Sequence, residues 1–422
     1  MVARAAICYV RAMKTETPNA LALAELSRWI AERMIAGDTE TRILDGVCEK
    51  LSSLGIGLKR VLIGADTLHP VLEGRVFEWH SHLQLVKEVE YGRQRAIGGE
   101  ESWLRSPFHY LFSSGQTQMR RRLPQDPQGE PIFPVLTDLA ANGTTDYVAY
   151  CNRLGGALVI GEMDCIFSSW TTDRPDGFSD SDLAILDYIM PSIASAVLGS
   201  SLGRIAGTLV ETYLGRDAGR RVLRGSIERG VAERVHTILW FSDLKGFTRL
   251  VDTVAPEQIV PLLNDYAEAI VSSVHENEGQ VLKFIGDGVL ATFEAHEPAA
   301  ACERALDAAR AALRRVDELN TGRAGRELPV TGFYLALHVG EVFYGNIGSA
   351  DRLDFTVIGP AVNEVSRIAG MSRSLEQDIL LSSAFADAAG DARQQLISLG
   401  RYALRGVGRP QELFTLDRST AT

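Results

Sequence analysis

Residues 281–290 read Val-Leu-Lys-Phe-Ile-Gly-Asp-Gly-Val-Leu, and this stretch indicates how the C-terminal half folds. Strand-forming residues flank an aspartate that stands between two glycines. The pattern predicts a β-hairpin with Asp287 at its tip, because glycines supply the backbone conformations that a tight turn needs. An aspartate in a turn often serves only the turn, so a functional interpretation of Asp287 requires a second group beside it.

A second carboxylate follows another apolar segment, earlier in the chain. Residues 237–241 read Thr-Ile-Leu-Trp-Phe and run into Ser-Asp-Leu-Lys-Gly-Phe-Thr at 242–248. We expect Asp243 to end a buried strand, where its oxygens can hold a hard cation. The glycine turn and the helix start that follow offer backbone amides to phosphate. If the two strands are neighbours, Asp243 and Asp287 converge, and two carboxylates that bridge two Mg²⁺ ions suit in-line phosphoryl transfer.

A third polar segment spans residues 354–367, which read Asp-Phe-Thr-Val-Ile-Gly-Pro-Ala-Val-Asn-Glu-Val-Ser-Arg. Asn363 and Arg367 are four residues apart, so on a helix they share one face. An amide and a guanidinium together suit a pentose and a charged phosphorus centre, because arginine offers a fixed charge and a fork of donors. Each residue taken alone has an ordinary interpretation: Thr356 as a strand former, Asn363 as a cap and Arg367 as a surface residue.

Taken together, these segments resemble the class III adenylyl/guanylyl cyclase catalytic domain. The matching stretches are FSDLKGFT, LKFIGDGVLATF, LHVGEVFYGNIGS, DFTVIGPAVNEVSRI and LRGVGRPQELFTL, in this order within residues 235–416. The resemblance implies an α+β fold, a ferredoxin-like βαββαβ sandwich whose mostly antiparallel sheet has helices on one side.

The resemblance also implies a role for each matching residue. Asp243 and Asp287 would bind two Mg²⁺ or Mn²⁺ ions, assisted by the Leu244 carbonyl. Asn363 would orient the ribose, and Arg367 would stabilise the charge that develops at the α-phosphate. The remaining substrate-binding positions are Lys283 and Thr356 at the purine base, and Gly246, Phe247, Thr248 and Arg405 at the phosphates.

The choice of base depends on Lys283 and Thr356. In the resembled family, lysine with aspartate or threonine goes with adenine. A lysine can donate to N1 of adenine, whereas N1 of guanine carries a hydrogen, and a threonine hydroxyl can accept from the exocyclic amine. We therefore expect an adenylate cyclase that converts ATP to 3′,5′-cyclic AMP and pyrophosphate. Because a hydroxyl also donates, a guanylate cyclase stays open as an alternative, as does a catalytically silent nucleotide-binding regulator.

In the resembled family the site lies between two subunits, one supplying the aspartates and the other supplying the base, ribose and phosphate groups. This chain carries both sets, so the resemblance implies a homodimer with two equivalent sites. Any signal that rotates or separates the two subunits would then change the activity.

The N-terminal half predicts a separate regulatory domain. Apolar periodicity predicts two helices over 20–54 and a long helix over 181–210, which either packs on its own domain or pairs with a second copy. The segments 60–64, 75–79, 86–89, 146–151, 157–160 and 165–170 read as strands, and 93–101 and 123–134 as loops. This pattern resembles a GAF-type sensor domain. We divide the chain into a GAF-like α/β domain (1–200), a helical linker (201–234) and the catalytic domain (235–422); the ligand of the first is unknown.

The amino-acid composition of the chain argues against several classes of binding partner and site. The 422 residues carry a net charge of −11, so no basic field invites nucleic acid. Five scattered cysteines without a CxxC pair argue against a disulfide framework or a zinc site. The histidines of the N-terminal half are interpreted as structural rather than as haem or metal ligands. We see no apolar run of the roughly 18–20 residues that cross a bilayer, so we expect a cytoplasmic protein without membrane insertion.

Overall fold

The computed structural model describes residues 17–83, 85–92, 99–124, 133–405 and 408–417. The chain divides into two compact units, Met1–Leu209 and Val210–Thr422. Each unit has its own β-sheet, with buried apolar clusters of its own.

The N-terminal unit begins with the two predicted helices, α1 (Thr17–Ile35) and α2 (Glu40–Ser53). The side chain of Thr39 caps α2 by accepting a hydrogen bond from the amide of Arg42, at 3.4 Å. The cap satisfies one of the amides that the first turn of a helix leaves without a partner. Gly37, in a left-handed conformation, separates the two helices.

In the described part of the N-terminal unit, six strands form a sheet in the order β3-β2-β1-β6-β5-β4, and each of these pairs is antiparallel. They are β1 (Arg60–Asp66), β2 (Leu72–His80), β3 (Leu85–Gly92), β4 (Gln118–Arg122), β5 (Asp146–Arg153) and β6 (Cys165–Thr172). Five of the predicted strand segments fall within these strands. The strand predicted over 157–160 is wrong: Gly156–Leu158 is a 3₁₀ turn, and only an isolated bridge joins Ile160 to Met163.

Helices cover both faces of this sheet. The face with α1 and α2 also receives α6 (Asp180–Leu214), while α4 (Pro107–Ser114) and α5 (Pro134–Ala141) pack on the other. The loops predicted over 93–101 and 123–134 are only partly loops, since α3 (Gly99–Leu104) begins inside the first and α5 inside the second. Residues 93–98 and 125–132 lie outside the described residues.

Helix α6 bears on the expectation that the chain has no apolar run long enough to cross a bilayer. In the part of the chain that the structure describes, this 35-residue helix is long and apolar enough to cross a membrane by length and composition. Alanine, glycine and serine interrupt its large apolar residues, so the sequence contains no obvious run although the mean hydropathy is high. In an apolar 18-residue stretch of this helix, 44% is buried inside the protein, and a buried core helix can be equally long and apolar.

The C-terminal unit contains an eight-stranded sheet in the described part of the chain. The strands are β7 (Ala232–Leu244), β8 (Gln280–Ile285), β9 (Gly288–Glu294), β10 (Phe333–Gly348), β11 (Leu353–Ile358), β12 (Ile379–Ser382), β13 (Leu396–Tyr402) and β14 (Gln411–Leu416). Their order is β13-β14-β12-β10-β7-β9-β8, with β11 added on β10, and among these described strands only β10 and β12 pair in parallel. The four strands β10-β7-β9-β8 form the expected ferredoxin-like centre.

The helices of this unit lie on both sides of the sheet, so the expectation of helices on one side is wrong. They are α7 (Arg216–Leu223), α8 (Phe247–Val251), α9 (Pro256–Glu276), α10 (Pro298–Ala324), α11 (Pro360–Leu375) and α12 (Ser383–Ala388). Ile238 and Trp240 of β7 face α9 and α10, whereas Leu239 faces α11. An apolar strand without polar alternation is buried on both faces, which explains why a second helical layer is needed.

The predicted linker is also more ordered than its glycines indicate. Residues 211–234 contain the end of α6, the helix α7 and the start of β7, which begins at Ala232 rather than at 235. Ala218 of α7 is buried in the same apolar cluster as α11.

Candidate active site

Asp243 and Asp287 lie side by side. Strand β7 pairs with β9 so that Ser242 lies opposite Val289, which brings the end of β7 next to the hairpin tip. The backbone amide of Leu244 donates to Asp287 Oδ2 at 3.1 Å. Burial and the neighbouring Asp287 carboxyl raise the pKa of Asp243 to about 6. Two carboxylates that repel each other in this way favour a bound cation.

The hairpin can come this close because residue 288 is glycine. A Cβ at Gly288 would lie 2.7 Å from the carbonyl oxygen of Ser242 and 3.5 Å from Asp243 Oδ1. The nearer atom belongs to backbone that pairs within the sheet, so it cannot move away easily. The sequence pattern Gly-Asp-Gly is therefore needed both for the turn and for the approach of the two carboxylates.

We expect Gly288→Ala to separate the carboxylates. The variant should remain folded but lose about 10- to 100-fold in turnover, because a misplacement on the order of 1 Å can cost about 10²-fold. The measurement is kcat at saturating nucleotide and metal. Gly370→Ala, on α11 with nothing within 4 Å of the added Cβ, is the matched control. Equal kcat for the two variants would contradict the expectation.

Lys245 makes several contacts that hold the turn after Asp243 in place. Lys245 forms an ion pair with Asp378 and lies 5.3 Å from the ring centre of Tyr334. Its backbone amide donates to the carbonyl of Gly332 at 2.9 Å. Gly246 then adopts φ 63°, a left-handed conformation that favours glycine, and Phe247 begins the short α8. Gly246 and Thr248 are exposed, and their contact with phosphate remains a prediction.

The two residues predicted to read the base lie on different strands of the same sheet. Lys283 belongs to β8, and Thr356, which is 7% exposed, belongs to β11. The Lys283 ammonium forms an ion pair with the carboxylate of Asp354, two residues before Thr356. Lys283 is thereby held against the strand that carries Thr356.

Asn363 and Arg367 are both exposed on the outer face of α11. The helix packs through Ala361, Val365 and Ile368. Among residues 133–405, no hydrogen bond or ion pair links Asn363 or Arg367 to the aspartate pair or to Lys283. A single chain therefore brings together the two aspartates, but not all of the predicted groups. Arg405 is exposed after β13.

The donor set fits a divalent cation that shares its ligands with a substrate. The described residues hold no group of three or more His, Cys, Asp or Glu side chains that could enclose a metal ion. Two aspartates supply hard oxygen ligands, and Mg²⁺ is usually held by one or two carboxylates together with water and substrate phosphates. Asp243 and Asp287 would hold the ions; the Leu244 carbonyl remains a prediction.

Known proteins match the C-terminal unit. Residues 232–417 match the adenylate and guanylate cyclase catalytic domain. An uncharacterized protein of Mycobacterium tuberculosis is 36% identical over 211 residues, which cover 48% of this chain and 37% of that protein. The adenylate cyclase of Anabaena cylindrica is 33% identical over 159 residues, or 37% of this chain and 31% of that enzyme. A crystal structure of the guanylyl cyclase Cya2 is 28% identical with a TM-score of 0.39, and covers 44% of this chain and 93% of its own.

These matches identify the class to which the C-terminal unit belongs. Residues 232–417 form a class III adenylyl/guanylyl cyclase catalytic domain. Class III cyclases are generally dependent on divalent metals. The chain spans less than two fifths of the length of the curated relatives that it matches.

The sequence interpretation overlooked three residues near the site. Asp354 was quoted within a motif but given no role, although alternation along a strand places it on the same face as Thr356. Lys245, which holds the turn after Asp243 through its ion pair with Asp378, has no sequence signal beyond its position. Tyr344 of β10 donates to Asp217 of α7 at 2.9 Å, a contact that only the fold could reveal.

Proposed function

We propose that this chain is an adenylate cyclase that converts ATP to 3′,5′-cyclic AMP and pyrophosphate. The observation that carries the proposal is the approach of Asp243 and Asp287 at the hairpin tip of a cyclase domain. Lys283 beside Thr356 supports adenine as the base. The hydroxyl of Thr356 can also donate, which keeps guanine as the second candidate.

The reaction is intramolecular, with the ribose 3′-OH attacking the α-phosphorus while pyrophosphate leaves. When bound, the two divalent ions neutralise charge on the attacking and leaving oxygens. Lys283 and Thr356 hold the base, Asn363 orients the ribose, and Arg367 stabilises charge at the α-phosphate. Gly246, Phe247, Thr248 and Arg405 contact the phosphates.

The site is completed in a homodimer. In the described part of one chain no hydrogen bond or ion pair joins Asn363 or Arg367 to the aspartate pair, and their exposure leaves them available to a second subunit. A C2 dimer would place the α11 residues of one copy against the aspartates of the other, twice.

Assays of the purified full-length protein test which purine nucleotide is the preferred substrate. The protein is given ATP or GTP with Mn²⁺ or Mg²⁺, and the products are identified by mass spectrometry. We expect cyclic AMP at a higher kcat/KM than cyclic GMP. A preference for GTP would identify the second candidate, and no product with either nucleotide and either metal would identify a silent regulator.

The N-terminal unit, which we propose to be a GAF-like sensor, would regulate the catalytic unit through the linker. Asp217 of α7 forms an ion pair with Arg221 and accepts from Tyr344. The Tyr344 ring packs edge-on against Phe355, which precedes Thr356. A shift of α7 would therefore reach the base-reading strand. We place the protein in the cytoplasm, where its substrate ATP is abundant.

We expect Tyr344→Phe to lower kcat/KM for ATP about fivefold in the full-length chain, since a hydrogen bond contributes about 1 kcal/mol. The control is Tyr402→Phe, which removes a hydroxyl bonded to the Leu399 carbonyl on β13. Melting temperature and kinetics are measured for both variants. The linker route is wrong if both variants lose stability alike and neither changes kcat/KM.

A further inference from the structure

The peptide group between Leu244 and Lys245 is held in one orientation. The Lys245 amide donates to the carbonyl of Gly332 at 2.9 Å, and the Lys245 carbonyl accepts from Thr331 Oγ1 at 2.7 Å. The C=O and N–H of a trans peptide point in opposite directions within one plane, so the Leu244 carbonyl points away from Gly332. Asp287, which accepts from the Leu244 amide, lies on that other side of β7. The backbone of Lys245 therefore determines where the Leu244 carbonyl points relative to Asp287.

The side chain of Lys245 is also held by its neighbours. Its ammonium forms an ion pair with Asp378 and lies beside the ring of Tyr334. The Asp378 carbonyl accepts from the amide of Leu335 at 2.8 Å, so the acid is itself fixed to β10. Gly332 leaves room for the lysine, since a Cβ there would lie 3.2 Å from Lys245 Cδ. A flexible lysine side chain thereby gains a fixed position.

The ion pair also directs the ammonium away from Asp243. Tyr334 lies directly opposite Asp243 in the pairing of β7 with β10. Directly opposed side chains lie on the same face of a sheet, so the ammonium beside the Tyr334 ring lies on the face that carries Asp243. Without Asp378 it would be free to pair with Asp243 and to compete there with a cation. Partly exposed ion pairs contribute little to folding stability, so an effect on the aspartate site is the stronger reason for this one.

We propose that Lys245 and Asp378 are positioning residues that set the affinity of the aspartate pair for divalent metal ions. Their ion pair fixes the turn that carries Asp243 and the Leu244 carbonyl, and it keeps the lysine charge away from the cation. Neither residue needs to contact the metal or the substrate. The inference rests on the proposed function, in which Asp243 and Asp287 hold the ions.

The first test measures Mn²⁺ binding by the full-length protein without nucleotide. Free Mn²⁺ gives an electron paramagnetic resonance signal that is lost on binding, so the dissociation constant is obtained without turnover. We expect Lys245→Met and Asp378→Asn each to raise this constant about 10- to 100-fold, as the loss of residues that support metal ligands does. Lys245→Arg keeps the charge, should retain most of the affinity and serves if the methionine variant does not fold. Wild-type affinity in both Lys245→Met and Asp378→Asn would overturn the proposal.

A second ion pair of the same kind supplies the control. Arg393 pairs with Asp387 at 2.6 Å and lies 5.6 Å from the ring centre of Phe414. Phe414 belongs to β14, three strands from β7 in the sheet order. Arg393→Met and Asp387→Asn therefore break an ion pair beside an aromatic ring without touching the turn, and they should leave the Mn²⁺ dissociation constant unchanged. If they raise it as much as the test variants do, the effect is a general loss of stability and the proposal is wrong.

Turnover separates the metal from the nucleotide. The Mn²⁺ concentration for half-maximal activity should rise in Lys245→Met and Asp378→Asn by about the same factor as the dissociation constant, whereas KM for ATP at saturating Mn²⁺ should change far less. The double variant should lose no more than the worse single variant, because residues that act through one contact are not additive. Additive losses would mean that the two residues act independently, against the proposal.

Binding and turnover are measured side by side, so that the two proposals fail separately. If the wild-type protein binds Mn²⁺ but forms no cyclic AMP, the proposed function fails, while the dissociation constants still test Lys245. If the wild-type protein forms cyclic AMP and Lys245→Met and Asp378→Asn bind Mn²⁺ as Arg393→Met does, the function stands and this inference is wrong.

Discussion

Asp287→Asn is expected to lower the rate of cyclic AMP formation about 1,000-fold. Metal ions contribute several kcal/mol of charge stabilisation in such a transition state, and each 1.36 kcal/mol corresponds to about tenfold in rate. Asparagine keeps the size of the side chain and can still accept the hydrogen bond from the Leu244 amide. The hairpin should therefore remain folded while the charge of the metal ligand is lost.

The rate is measured at saturating ATP over a range of Mn²⁺ concentrations. Asp317→Asn, at an exposed position on α10, removes the same charge and should keep the wild-type rate. If the rate for Asp287→Asn is within tenfold of the wild-type rate at any metal concentration, the aspartate pair does not take part in the chemistry.

Arg367→Ala is expected to lower kcat about 100- to 1,000-fold, as the loss of one donor to a developing charge does in other enzymes. Arg367 is exposed on α11, and among the described residues of its own chain no hydrogen bond or ion pair joins it to the aspartate pair. A second subunit that carries an intact Arg367 should therefore restore the lost activity. Arg373→Ala, in the last turn of the same helix, is the control and should stay active.

Co-expression of Arg367→Ala with Asp287→Asn tests this repair. In a mixed dimer one site receives both defects and the other receives neither, so random pairing should restore about a quarter of the wild-type activity. Recovery that does not exceed the sum of the two single variants would mean that each chain builds its own complete site.

The sequence predicted the catalytic hairpin because its signals are local. Two glycines around Asp287, with strand formers outside them, specify a turn whatever surrounds it. The sequence did not show that β7 and β9 are neighbours, because pairing between distant segments has no local signal. The helix layer containing α11 was misplaced for the same reason, although the apolar run 237–241 already required cover on both faces.

The N-terminal unit shows where local patterns fail. Periodicity predicted α1 and α2 well, because their apolar positions recur every three to four residues. The segment 157–160 has strand-like residues, but Gly155 and Gly156 before it turn the chain. The short helices α3 and α5 were missed because six to eight residues carry too little periodicity. The ion pair between Asp354 and Lys283 could not be predicted, because no spacing rule supplies it.

The most direct measurement is the fate of ATP with the purified full-length chain and Mn²⁺. We predict equimolar cyclic AMP and pyrophosphate, and a rate for Asp287→Asn about 1,000-fold lower under the same conditions. Release of inorganic phosphate or ADP in place of cyclic AMP, or a nucleotide that stays intact with both metals, would contradict the account.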